Sequence, residues 1–384
     1  DFDYARLAVD LRRAPRRTFD ARTVRRLQLN RGDLVLEKSG GGENQPVGRA
    51  VMYGLDRPAI CSNFAARVRS AAGVDSRFLT YVLAHLYSSG ATERCINQTT
   101  GIQNLDTSAW LRESAPLPPL DVQRRIADFL DDQVERLDAA VALRRESLRL
   151  ADLRRTGHLD GLIEELGERN GWGRFRRWIR RIEQGWSPQC SSSAALPGEP
   201  GVIKLSAVRA GQFLAHENKA FLEGVLPDPR YSLKHHDLLV TRANTPVLVG
   251  DTAVVPSDFP DLYLSDLVYR VDIRDLNPYF ASASLRSRRV RSVMAATGRG
   301  ASQTMAKIRG DDIKDVVIPL ASVQQQRAAV ASINESEDGY CEFARLVQTQ
   351  LALLEERKHS LITAAVTGQF DVSAASSRAA GVAL

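Results

Sequence analysis

Four short stretches gather small, hydroxyl, amide and guanidinium side chains. They are Gly185-Trp186-Ser187-Pro188-Gln189, Thr241-Arg242-Ala243-Asn244-Thr245, Arg299-Gly300-Ala301-Ser302-Gln303, and Asn97 to Asn104 through Gln98, Thr99 and Gln103. Such groups can approach a base edge: Asn and Gln match the donor and acceptor of adenine, Arg matches guanine, and Ser and Thr adapt to either. The same residue types also build ordinary turns, so composition leaves both readings open. Arginine clusters accompany them: Arg174, Arg176, Arg177, Arg180 and Arg181; Arg286, Arg288, Arg289 and Arg291; and Arg12, Arg13, Arg16, Arg17, Arg22, Arg25 and Arg26. A guanidinium fork suits phosphate oxygens, though any one cluster taken singly is more often just a solvated face. Lys plus Arg number 52 against 46 Asp plus Glu, a net charge of +6 with a pI near 9.2. That excess is too small for indiscriminate nucleic-acid binding and fits arginine placed on particular faces.

Several chemistries are absent. No GxxxxGK[ST] phosphate loop occurs, and the glycine-rich stretch from Gly40 to Gly48 has the wrong spacing, so ATP hydrolysis is not expected. Asn277-Pro278-Tyr279-Phe280 is similar to the base-gripping motif of amino-methyltransferases but lacks its second proline and a glycine-rich cofactor loop. Asn277 as a helix N-cap with Pro278 in the first turn is the preferred reading. Glu356-Arg357-Lys358 has metal-nuclease spacing but falls on a long helix, where a solvated face is expected. His235 and His236, read as neighbours on a strand, would face opposite ways and could not chelate one ion. Cys61, Cys95, Cys190 and Cys341 form no CxxC pair, so buried reduced thiols are expected rather than zinc ligands or disulfides. No catalytic residue and no metal ligand is expected. No apolar run approaches the ~18 residues that span a bilayer, and a cytoplasmic protein is expected.

The elements that would position these groups are repeated. With an offset of about 203 residues, PLPPLDVQRRIADFLD at 116–131 aligns with PLASVQQQRAAVASIN at 319–334. Asp33 to Lys38 matches Asp237 to Arg242, Val47-Gly48 matches Val249-Gly250, and Arg67-Val68 matches Arg270-Val271. A period this long excludes solenoid repeats of ~20 to 50 residues. The 384 residues therefore read as a tandem duplication. Each copy has a mixed part, with β-like runs such as Asp33 to Leu36 and Asp237 to Val240 and a helix (Phe78 to Leu86; Tyr279 to Val293), followed by one long helix. By the same offset the first copy is expected to lack about 35 N-terminal residues, including the counterpart of Gly185 to Pro188.

Pro118-Pro119 marks the start of the first long helix, and the capping-box spacing from Ser322 to Gln325 the start of the second. Ile126, Leu130, Val134, Leu137, Val141 and Leu148 form an apolar stripe, as do Phe343, Val347, Leu354 and Leu361. Arg144 and Gly339 interrupt it. Each helix is expected to run for about 45 residues, roughly 65 to 70 Å at 1.5 Å per residue. A stripe this long is buried most simply by the two helices pairing antiparallel, with pseudo-two-fold symmetry. The plainer alternative is that each caps its own domain.

PLPPLDVQRRIADFLD at 116–131, Asp237 to Arg242 followed by Val249-Gly250, and Ala364 to Val372 (AAVTGQFDV) resemble the DNA specificity subunit of type I restriction-modification systems. The resemblance implies an α+β chain of two α/β target recognition domains held apart by two long antiparallel coiled-coil helices. On that pattern 1–117 is target recognition domain 1, N-terminally incomplete; 118–168 is spacer helix 1; 169–320 is target recognition domain 2; 321–369 is spacer helix 2; and 370–384 is a flexible tail. It further implies a chain without catalytic groups that reads a split, asymmetric site in double-stranded DNA. Methyltransferase subunits docked on its helices and a motor-nuclease subunit would methylate adenine or cleave. S-adenosylmethionine, ATP and Mg would belong to those subunits, with no cofactor on this chain and no membrane partner.

Carried onto this sequence, the DNA-binding positions are Lys38, Ser39, Asn97, Gln98, Thr99, Gln103 and Asn104 in copy one. In copy two they are Trp186, Ser187, Gln189, Arg242, Asn244, Thr245, Arg299 and Gln303, with Arg176 and Arg180 as phosphate contacts. A specificity chain of another methylation or restriction assembly, or a coiled-coil scaffold without DNA, remains an alternative.

Overall fold

The computed structural model describes residues 2–12, 14–42, 45–99, 102–297, 299–302 and 305–370. It contains two compact units, Asp1–Leu148 with Arg345–Leu384, and Arg149–Ala344, so each unit holds one half of each long helix. The architecture is α+β.

In the first unit, β1 (Phe2–Asp3), β2 (Ala8–Val9), β5 (Ala50–Met52), β3 (Leu34–Glu37) and β6 (Ala65–Val68) form a sheet in that order. The run Leu34-Val35-Leu36 is buried on both faces, which is why it reads as continuously apolar rather than alternating. It pairs antiparallel with β5 (Leu34 opposite Met52) and with β6 (Leu34 opposite Val68). Helix α1 (Ala21–Leu27) precedes this core, and α2 (Ser76–Ser88) packs on it through Phe78, Val82 and Leu86. A second sheet joins β4 (Ser39–Gly40), β8 (Ile102–Leu105) and β7 (Ile96–Thr99), and α3 (Thr107–Trp110) follows.

The second unit repeats this plan and extends it. Its strands are β9 (Trp172–Arg174), β10 (Ile179–Gln184), β11 (Gly201–Ile203), β12 (Val208–Arg209), β13 (Gln212–Phe213), β14 (Asn218–Ala220), β15 (Ser232–Leu233) and β16 (Leu238–Thr241). They continue with β17 (Ala243–Asn244), β18 (Thr252–Val254), β19 (Phe259–Tyr263), β20 (Val268–Ile273), β21 (Arg299–Ser302), β22 (Met305–Lys307) and β23 (Val317–Pro319). Buried β16 pairs antiparallel with β18 and β20 as β3 does with β5 and β6, in the register the repeat demands, Leu239 opposite Ala253 where Val35 stands opposite Val51. β17, β22 and β21 form a three-stranded sheet that matches β4, β8 and β7. Beyond the common plan, β10 adds to β20, β9 pairs with β23, β12 with β13, and β14, β11, β19 and β15 make a further sheet. Helices α5 (Pro278–Arg286), α6 (Arg288–Thr297) and α7 (Gly310–Asp315) complete the unit.

The repeated Val-Gly pairs have a steric cause. Gly48 and Gly250 take φ of +103° and +75°, and a Cβ on them would lie 2.2 Å from Thr92 Cγ2 and 2.3 Å from Met294 Sδ. Only glycine fits a left-handed turn against so close a neighbour.

The long helices are α4 (Leu120–Asn170, 51 residues) and α8 (Val323–Val366, 44 residues). Ser322 and Gln325 cap the second reciprocally, Ser322 N donating to Gln325 Oε1 at 2.9 Å and Gln325 N to Ser322 Oγ at 3.3 Å. Asn277 caps α5, with Oδ1 accepting from the amides of Tyr279 and Phe280, and Pro278 opens the helix. One turn into each long helix stands a repeated glutamine. Gln123 Oε1 accepts from Asp75 N at 2.9 Å, and its Nε2 donates to Pro118 O and Gly73 O at 2.7 and 3.1 Å. Gln326 Oε1 accepts from Asn277 N at 2.8 Å, and its Nε2 donates to Ala321 O at 2.9 Å. Asp75 and Asn277 are the N-caps of α2 and α5, so the repeated residue ties equivalent helices together in each unit.

Within each unit the helix halves run antiparallel. In the first, Lys358 meets Asp138 at 2.7 Å and Arg145 meets Glu355 at 3.9 Å, while Ile126, Leu130 and Val134 share a core with Ile362, Ala365 and Val366. In the second, Arg155 meets Glu337 at 2.8 Å, His158 meets Ser332 at 3.0 Å, and Leu159 and Ile163 share a core with Ala329 and Ile333. The helices therefore pair with each other and also roof the sheet-and-helix core of each unit.

Several expectations differ from what is observed: of the thiols expected to be buried, Cys341 is exposed and Cys61 and Cys190 are partly buried. Phe343 is exposed, whereas Val347 of the same stripe is buried, and Ile362 is buried next to partly buried Leu361. Lys358 is 8% exposed rather than on a solvated face; its ammonium donates to Asp138 and to Ala5 O. His235 and His236 lie in a turn, not a strand, and the φ of +69° at His236 brings their rings to 3.6 Å between centroids. Among the described residues no group of three or more His, Cys, Asp or Glu could hold a metal ion, and no helix is long and apolar enough to cross a membrane.

Candidate nucleic-acid interface

The polar stretches that read as loops are largely strands. Ser39 lies on β4, Asn97, Gln98 and Thr99 on β7, and Gln103 and Asn104 on β8, so all share one three-stranded sheet. Asn97 stands opposite Asn104 and Gln98 opposite Gln103. Ser39 Oγ donates to Asn104 Oδ1 at 2.7 Å, which leaves the Asn104 amide N–H groups as donors on the same sheet. Asn97, Gln98 and Asn104 are exposed. Gln103 is buried and its Oε1 accepts from Val47 N at 3.2 Å, so its amide serves the interior. Lys38 is half-buried between β3 and β4, its N–H donating to Phe64 O.

In the second unit Asn244 lies on β17 opposite Ala306, and Arg299 lies on β21 opposite Lys307. Gln303 lies outside the described residues. Arg242, half-buried, is fixed through its backbone, donating to Leu267 O and accepting from Ile308 N. Thr245 is exposed, and its N–H donates to Asn244 Oδ1 at 2.9 Å. Ser187 and Gln189 are exposed beyond β10. Trp186 is partly enclosed, edge-on to Phe221 at 5.8 Å, and Phe221 in turn meets the tilted ring of Tyr263 at 5.5 Å.

The arginine clusters divide into employed and outward groups. Arg176 is ion-paired with Asp315, and Arg174 reaches the same carboxylate at 3.6 Å. Arg286 bonds Ala210 O and Glu337, while Arg289 pairs with Glu164 and covers the Trp172 ring at 4.2 Å. Arg180 is exposed on β10. Burial lowers the pKa of Arg291 from the usual arginine range; its two Nη groups donate to Val247 O and Val249 O. Glu37, at the end of β3, has its carboxyl pKa raised by burial against the opposing effects of Tyr4 and Arg49.

Sequence reasoning missed one feature common to both units. The turn between the central strand and its partner, ending in Val47-Gly48 or Val249-Gly250, is tied down by the second helical segment. Tyr87 Oη donates to Pro46 O at 2.9 Å, and Arg291 holds Val247 and Val249. Tyr87 and Arg291 stand one residue out of the repeat phase, and a comparison of the two copies beyond the matched motifs would have paired them.

No family model matches the chain. It is 27% identical over 168 residues to the type I restriction enzyme EcoEI specificity subunit of Escherichia coli, a match covering 43% of this chain and 28% of that relative's length. It is 23% identical over 360 residues to the type I restriction enzyme EcoKI specificity subunit of Escherichia coli strain K12, covering 88% of this chain and 74% of the other. Its fold is similar to that of a chain solved in work on complex assembly and conformational transition of the type I R-M system. The TM-score is 0.66 with 18% identity, over 89% of this chain and 83% of that one.

Proposed function

We propose that this chain, a relative of the type I restriction enzyme specificity subunits, is the DNA-reading component of such a system. Each unit would read one half of a split, asymmetric site, and partner subunits would carry out adenine methylation or cleavage. One observation carries the reading. The same three-stranded polar sheet recurs at matched positions in both units but bears different side chains, Ser39, Asn97, Gln98 and Asn104 in one and Asn244 beside Arg242 and Thr245 in the other. A repeated scaffold with unlike polar surfaces suits two unlike half-sites, because base edges are told apart by donor and acceptor pattern. Ser187, Gln189 and Arg180 extend the second surface. Trp186, enclosed by Phe221, and Gln103, turned inward, act as supports. The partners that methylate would dock on the long helices, which expose Leu143, Leu150, Leu153, Leu346 and Leu353.

Methylation mapping of the source organism with and without the gene tests this. Expected is the loss of adenine methylation at one bipartite motif, restored with altered half-site sequence by Arg242→Ala or Asn244→Ala. Unchanged methylation at every motif on deletion would refute the proposal.

A further inference from the structure

The turn from Thr245 to Val249 ends in an exposed apolar tip, with Val247 78% and Leu248 41% exposed behind Pro246. Met305, next along β22 from the residue opposite Asn244, is 44% exposed. An apolar tip in water is ordinarily loose, yet here almost every carbonyl is held. Leu248 N and Val249 N donate to Thr245 O at 2.9 and 2.8 Å, buried Thr241 Oγ1 donates to Leu248 O at 3.1 Å, and Arg291 takes Val247 O and Val249 O. The first unit ties its matching turn through Tyr87, so the tie belongs to the shared plan, and in the second unit it holds Val247 and Leu248 in place while both stay exposed. The tip also borders a cleft of about 300 Å³ shared with Arg288, whose 81% exposed side chain lies 3.4 Å from the Asp160 carboxylate. An apolar tip next to hydrogen-bonding Asn244 and Thr245 matches a thymine edge, a methyl group beside base polar atoms.

We infer that Val247 and Leu248 recognise the 5-methyl group of a thymine in the half-site read by the second unit, with Arg291 as the positioning residue. The inference rests on the DNA-reading proposal above. The first unit has Gln45 and Pro46 where the second has Val247 and Leu248, so the preference belongs to one half-site only.

The test is binding of the full chain, with its methylation partner subunits, to duplexes carrying the mapped motif in which each thymine is replaced singly by deoxyuridine. Removing one buried methyl is expected to weaken binding about four-fold at one position, in one half-site. Val247→Ser/Leu248→Ser, at exposed sites, is expected to bind the thymine and deoxyuridine duplexes alike, and so is Arg291→Met with Val247 and Leu248 retained. Indifference of the unaltered protein to every deoxyuridine, or a four-fold preference that survives Val247→Ser/Leu248→Ser, overturns the inference. No preference for the motif over a scrambled duplex overturns the DNA-reading proposal itself.

Discussion

Gln326→Ala should destabilise the second unit by about 2 to 6 kcal/mol and leave the first untouched. Gln326 is 4% exposed, and its amide serves Asn277 N–H and Ala321 C=O together. Truncation leaves one donor and one acceptor without a partner where water has little access, each costing about 1 to 3 kcal/mol. Gln123 is 1% exposed and bonds three backbone groups, so Gln123→Ala should cost about 3 to 9 kcal/mol in the first unit by the same reasoning. Against a typical total of about 5 to 15 kcal/mol either loss is severe. Gln326→Glu should be no better than Ala, because it sets a second carboxylate oxygen against Ala321 O. Native-state hydrogen exchange reads each unit separately. Gln326→Ala should speed exchange of the α5 and α6 amides, Gln123→Ala those of α2, and the double variant should show the sum. Losses below about 0.5 kcal/mol, or exchange rising equally in both units after one substitution, would refute the assignment of the glutamine as the tie between helices.

Lys358→Met should cost about 3 kcal/mol by denaturant unfolding, because the Asp138 carboxylate loses its cation in a mostly enclosed site; adding Asp138→Leu should recover much of that loss, and no recovery would mean the ion pair is not the cause. Arg180→Ala should weaken binding to all DNA sequences together and reduce the slope of log K against log salt by about 0.9, while Arg176→Ala, whose guanidinium already neutralises Asp315, should change the slope less. Equal slopes for the two variants in salt titrations would remove the distinction between outward and employed arginines.

Features governed by neighbours in sequence were legible in advance. The capping box at Ser322 and Gln325, the cap of Asn277 over Pro278, and the buried strands at Leu34 and Leu238 follow from local chemistry. The duplication was legible because both copies must satisfy the same contacts, as Gln123 and Gln326 show. What escaped depends on distant partners. Lys358 reads as a solvated cation until Asp138, 220 positions away, is brought beside it. Gln103 reads as a surface amide until Val47 N–H needs an acceptor. The sheet formed by β4, β7 and β8 was hidden because Asn, Gln, Thr and Gly are turn residues by composition, and only pairing makes them strands. On β8, sequence could not distinguish Asn104, outward, from its neighbour Gln103, inward.

The division of each long helix between two units also orders events at the ribosome. The second unit is made of one continuous stretch and holds all its parts once residue 344 has emerged. The first cannot close until Ile362, Ala365 and Val366 reach Ile126, Leu130 and Val134, which were synthesised roughly 230 residues earlier. At about 5 to 20 residues per second, that leaves the nascent apolar stripe uncovered for roughly 10 to 50 s. The half of the molecule made first is thus the last to mature, and during translation it is the half that most needs a chaperone.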